Sequence, residues 1–177
     1  MVYGRLGIQE ACVTFKVGDT VVYPSQGAGK IEEVTKRQVL GEEHEYLKIV
    51  FIRGDMEVLV PLKKGQEVGL RHTVGKKELK QLNETLLKAD LSLPEQWPPR
   101  YRAEQDILAG GGAYELAKLV GLLAIRDLEK GLAATEREVM ETAKEMLVSE
   151  IAVVKGISFD EAKEEIETLI SENITIS

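Results

Sequence analysis

One cysteine, Cys12, occurs in 177 residues. A lone thiol closes no internal disulfide, so a reducing, cytoplasmic compartment is the simplest expectation. Aromatic residues make up only 5% of the chain, which leaves any core to aliphatic side chains. Neither of the two histidines, His44 and His72, has a ligand at i+3 or i+4 or a cysteine pair beside it, so the usual zinc spacings are missing. No run of about 18 apolar residues offers a membrane span. The first residues also lack the continuous apolar stretch of a signal peptide. No Ser-His-Asp or Cys-His set stands out. The expectation is a soluble protein with no enzymatic activity, no metal and no cofactor.

Positive charge is also in deficit: the formal net charge is −7. Lys plus Arg against Asp plus Glu stand at 9 and 9 in residues 1–65, 7 and 7 in 66–109, and 7 and 14 in 110–177. The excess acid therefore lies wholly in the last third. A general nucleic-acid coat is excluded, and any DNA contact must be a small patch held in place by something else. A hydrophobic content of 44% with 30% charged residues is that of a globular chain.

Residues 1–14 show no period and are expected to be a weakly ordered extension. From Phe15 onward short β-rich runs follow one another: Thr20–Tyr23, Lys30–Val34, Arg37–Val39, Glu45–Phe51 and Glu57–Pro61. Turns at Ser25-Gln26-Gly27, Gly41 and Gly54-Asp55 punctuate them. Such spacing predicts a small, bent antiparallel module of SH3 or Tudor type over residues 15–65. Two of its runs, Val58-Leu59-Val60 and Leu47-Ile49-Phe51, offer candidate edges for strand addition by a partner, although core strands of a small barrel have the same pattern.

Beyond Gly75 the apolar period becomes helical, giving an all-α domain of about five helices over residues 66–177 and an α+β chain overall. Leu79, Leu82 and Leu86 line a first helix. Pro98 and Pro99 open a second that ends at Gly110-Gly111-Gly112, and Leu116 to Leu123 mark a third stopped by Gly131. Thr135 with Glu138 and Ser158 with Glu161 predict capping boxes for the last two helices. The acidic run from Glu136 to Glu150 is expected to be the solvated face of the fourth.

Gly27-Ala28-Gly29-Lys30 fails as a phosphate loop, because Pro24 stands where the first glycine belongs and Ile31 where Ser or Thr must follow the lysine. The triple glycine before the third helix could bind an anion, but an interhelix turn accounts for it. The segment Leu91-Ser92-Leu93-Pro94-Glu95-Gln96-Trp97-Pro98-Pro99-Arg100-Tyr101-Arg102 carries more. It holds the sole tryptophan and three of five prolines. Proline is suited to a helix's first turn, so Trp97 is expected at a helix start with Arg100 and Arg102 flanking it. A flat aromatic beside guanidinium groups suits a phosphate backbone and a strained base. Packing of Trp97 into its own core is the alternative.

Phe15-Lys16-Val17-Gly18-Asp19-Thr20-Val21-Val22-Tyr23-Pro24-x-x-Gly27, Gly41-Glu42-x-x-Glu45-Tyr46-Leu47, Val60-Pro61 and Val68-Gly69-Leu70-Arg71 follow one another along the first half. Trp97-x-x-Arg100-Tyr101 and Arg126-Asp127-x-Glu129-Lys130-Gly131-Leu132 complete the series. From Phe15 to about Ile170 this order of features resembles the CarD/CdnL family of bacterial transcription regulators. It implies an N-terminal RNA polymerase interaction module, similar to that of transcription-repair coupling factor, docking on the polymerase β subunit with Arg37, Val58, Leu59 and Val60. It further implies that the helical domain reaches promoter DNA at the upstream bubble edge through Trp97, Arg100, Arg102 and Arg137, with Trp97 as a wedge. Leu59 stands where some members carry an arginine, and Pro98-Pro99 replaces a more polar pair. A reading from another class is a protein–protein adaptor whose β-module binds another partner and whose helical half has no DNA role.

Overall fold

β-branched and aromatic residues in alternation build the first half. The structure, a computed structural model, describes residues 13–54 and 56–176; Cys12 and most of the expected N-terminal extension lie outside them. Five strands, β1 (Thr20–Tyr23), β2 (Gly27–Val39), β3 (Glu42–Phe51), β4 (Glu57–Pro61) and β5 (Arg71–His72), form one antiparallel sheet in the order β4-β3-β2-β1-β5. This is the bent Tudor-like module expected. The two separate runs predicted at Lys30–Val34 and Arg37–Val39 are one long strand, with a register shift between Ile31 and Glu33. That bulge bends β2, so its first half closes on the core and its second half projects as a hairpin with β3. Val21, Ile31, Leu47, Ile49, Phe51, Val60 and Leu70 fill the module's interior with Phe15. The sheet takes its last strand from beyond residue 65, because Leu70 joins that core and Arg71–His72 pairs with β1.

Helices α1 (Leu79–Lys88), α2 (Trp97–Gly110), α3 (Ala113–Lys130), α4 (Ala134–Lys155) and α5 (Phe159–Ile176) follow. Leu82, Leu86, Leu116, Leu119, Val120, Leu123, Ala143, Leu147, Ile151 and Ile166 make their shared core. At α5 the predicted capping box is complete: Glu161 accepts the Ser158 N–H at 2.8 Å and the Glu161 N–H reaches Ser158 Oγ at 3.2 Å. The backbone N–H bond also holds the Glu161 carboxyl below its ordinary pKa. At α4 the expected box of Thr135 and Glu138 does not form, and the cap lies two residues earlier with only the carboxylate half of a box. Ala133 stands at the cap and its N–H donates to Glu136 at 3.2 Å.

The two halves are docked through α4. Ser149 Oγ accepts the Ala28 N–H at 2.8 Å, and Val22 and Ala28 belong to the helical core. Glu150 receives both guanidinium nitrogens of Arg71 at 2.8 Å and the Val74 N–H at 2.9 Å. Arg53 pairs with Glu145 across the same seam. The acidic run of α4 is only in part the solvated face that its sequence predicts: Glu138 and Glu141 are exposed, but the two ends of the run are not. Glu136 and Glu150 are buried, each neutralised by arginine from another element.

Candidate functional site

Ala89, in the left-handed region at φ 48°, ends α1 and turns the chain into the Leu91–Gln96 loop. Gln96 is extended, and the first backbone bond of α2 runs from the Arg100 N–H to the Gln96 carbonyl at 3.1 Å. Of the three helical positions ahead of that bond, Trp97, Pro98 and Pro99, only Trp97 owns an N–H. The helix start is thus a poor anion cradle but a rigid mount.

The Trp97 indole is 45% exposed. It stacks on Tyr101, one turn along, at a centroid distance of 5.3 Å and an interplanar angle of 9°. Tyr101 packs in turn against the helical core. The indole is thus backed on one face by the phenol ring, while close to half of the residue's surface stays in solvent. The i, i+4 spacing was the signal for this backing ring.

The expected pair of outward guanidiniums beside Trp97 is corrected by the geometry. Arg102 is exposed and, among the described residues, has no ion pair. Arg100 points inward and is only 8% exposed. Its Nη1 donates to the Glu95 carbonyl at 2.7 Å and its Nη2 lies 2.9 Å from Glu136 Oε1. The buried α4 carboxylate draws it in, so Arg100 is not free for a phosphate. Arg126 approaches the same Glu136 oxygen at 3.3 Å. Arg137, exposed on the first turn of α4, is 3.6 Å from Asp127. The Arg100–Glu136 pair brings the starts of α2 and α4 to one end of the bundle, so Arg137 shares that end with Trp97 and Arg102. A cleft of about 310 Å³ opens beside it, lined by Leu91, Leu93, Pro94, Ile125, Arg126 and Lys130. Lys130, exposed at its rim, is a cation that the sequence reading passed over, although it stood within the Arg126–Leu132 motif.

At the other end of the chain, β4 is an outer strand of the sheet. Val60 is buried and Val58 packs against the same core, while Leu59, opposite Lys48, lies on the other face. The second candidate edge, Leu47-Ile49-Phe51, is not one: β3 is hydrogen-bonded to β2 and β4 on its two sides, and all three side chains are buried. Arg37 is exposed on the projecting hairpin, opposite His44. Among the described residues no cluster of His, Cys, Asp and Glu could hold a metal ion, and no helix is long and apolar enough to cross a membrane.

Two family models match the chain in succession. Residues 15–74 match the CarD-like/TRCF RID domain and residues 81–167 the CarD C-terminal domain. A curated relative, the putative transcription factor YdeB of Bacillus subtilis (strain 168), is 32% identical over 151 residues, covering 84% of this chain and 97% of its own. Among solved structures, the NMR structure of the 72-residue N-terminal domain of Myxococcus xanthus CarD is 27% identical. It covers 40% of this chain and 93% of its own, with a TM-score of 0.30.

Proposed function

The chain belongs to the CarD family of bacterial transcription regulators, and from that premise we propose a division of labour between its two halves. The β-module docks on the RNA polymerase β subunit through the open side of β4, with Val58, Leu59 and Val60 on the strand and Arg37 on the hairpin. The helical domain then holds the upstream edge of the transcription bubble open with Trp97. Arg102 and Arg137 neutralise phosphate there; Arg100 is left to the mount behind the indole.

The observation that carries this reading is the half-exposed Trp97, its ring backed by Tyr101. A structural tryptophan in so aromatic-poor a chain has every reason to be buried, since burial of a large ring is a main source of stability. Here a large apolar surface is left in water at a rigid helix mouth, among cations. An indole at a bubble edge occupies the space into which the next base pair would close. Opposing re-pairing and restacking there requires about a few kcal/mol per step. Two exposed arginines bind DNA weakly in a chain this acidic. Tethering to polymerase offsets that weakness by raising the local concentration to roughly millimolar.

Footprinting on a forked promoter tests the reading. With polymerase present, the protein is expected to add protection at the upstream fork, and alone it is expected to add none. Arg37→Glu should lose the added protection together with polymerase binding in a pull-down. An adaptor with no DNA role would leave the fork footprint unchanged, which would end the proposal.

A further inference from the structure

α2 buries three side chains, Arg100, Glu104 and Leu108, at i, i+4 and i+8, so they form its inward stripe. Two of the three are charged. The helix that carries the wedge is therefore held to the bundle near its start by charge as well as by the packing of Tyr101. Those charges meet others from two further helices. Arg100 Nη2 is 2.9 Å from Glu136 Oε1 of α4, and Arg126 Nε of α3 is 3.3 Å from the same oxygen. Arg100 Nε is 3.8 Å from Glu104 Oε1. The four groups sum to no net charge, and Glu104 and Glu136 are at most 3% exposed.

We infer that Arg100, Glu104, Arg126 and Glu136 form a buried positioning quartet that sets the stance of the Trp97 indole. The inference rests on the wedge reading above and deepens it. Its geometric core is the reach of one guanidinium in two directions. Nη1 of Arg100 holds the Glu95 carbonyl, at 2.7 Å, ahead of the helix. Nη2 holds α4. The short arc Gln96-Trp97-Pro98-Pro99 is thereby fixed at both ends by a single side chain, with Trp97 in the middle. The hydrogen bond to the Glu95 carbonyl fixes the direction of the planar guanidinium, which a flexible ammonium does not.

The same arrangement gives the Arg126–Leu132 motif a purpose. Arg126 supplies the second cation on Glu136. Asp127 Oδ1 accepts the Leu132 N–H at 3.0 Å and lies 3.6 Å from Arg137. Gly131, at φ 74°, lets the chain leave α3 sharply enough to bring Glu136 back. The α3–α4 corner is thus the abutment against which the quartet braces the wedge.

Trp97 is the sole tryptophan, so intrinsic fluorescence reports its stance in the free protein, without polymerase or DNA. Arg100→Lys keeps the charge and loses the two-way reach. It is expected to leave helicity and polymerase binding intact, to lower Trp97 anisotropy and to raise its quenching by acrylamide. It should shorten the open-complex lifetime about fivefold to tenfold, a loss of about 1 kcal/mol. Glu136→Gln, which keeps the side chain's shape, should move both readouts in the same direction. A lowered melting temperature with unchanged Trp97 fluorescence in both variants would make the quartet merely structural and overturn the inference. Failure of the wedge reading is told apart from this by Trp97→Ala: no change of lifetime there removes the reading, whatever the fluorescence of the arginine variant.

Discussion

Glu104 has no exposed surface. Burial, and then the nearby Glu136 carboxylate, raise its pKa above the ordinary carboxyl value, and Arg100 and Arg126 only partly oppose them. A carboxyl whose folded pKa is raised binds its proton more tightly in the folded state. Its contribution is therefore neutral below the unfolded pKa. It becomes a penalty as pH rises from that value through the raised folded one, and stays in full above it. Stability is expected to contain a component that declines as pH climbs out of the ordinary carboxylate range, and Glu104→Gln should lack it. Denaturant midpoints measured across that range test this; parallel profiles for the two proteins would contradict it. At this scale Trp97 and its helix start were legible in the sequence, since two prolines after a tryptophan leave few other places for it. The inward turn of Arg100 was not. An exposed and a buried arginine have the same spelling, and the partner that draws it in lies 36 positions away at Glu136.

Among the elements, α1 and α3 cross where Gly121 presents no side chain. A Cβ there would stand 2.0 Å from the Leu86 carbonyl oxygen and 3.0 Å from Ala89 Cβ. The helices must separate to admit even a methyl, so Gly121→Ala is expected to destabilise by about 1–3 kcal/mol. Thermal unfolding reads this directly, and an unchanged melting temperature would mean that the crossing is looser than described. Element types followed from apolar period and from Ser158–Glu161, a local device written in four consecutive residues. Errors arose where the deciding partner was remote. β5 is two residues long and exists only because β1 lies beside it. The α4 cap moved because Glu136, committed to Arg100 and Arg126, also serves the Ala133 N–H. The two predicted strands are one because Thr35 and Lys36, which lie between them, pair without a break with Tyr46 and Glu45; the bulge falls earlier, at Glu32.

In the proposed mechanism the whole molecule works only if an anchor and a wedge keep a fixed relation. The seam that fixes it is polar as well as apolar. Glu150 is fully buried and satisfied by Arg71 and the Val74 N–H, and Gly27 meets α4 so closely that a Cβ would stand 2.5 Å from Ser149 Oγ. Arg71→Met strands the Glu150 carboxylate. Removing one partner of a buried pair costs about 3–5 kcal/mol, and the low end is expected because Arg71 is partly exposed. The β-module and the helical bundle should then unfold in separate steps, whereas one transition at the original midpoint would contradict the coupling.

In the proposed mechanism an indole held out at the mouth of α2 keeps promoter strands apart. Competitor-challenged lifetimes of open complexes, at protein concentrations that saturate polymerase, measure it most directly. Trp97→Ala is expected to leave polymerase binding unchanged and to cut the lifetime about tenfold, the equivalent of about 1.4 kcal/mol. A lifetime equal to that of the unaltered protein would contradict the account.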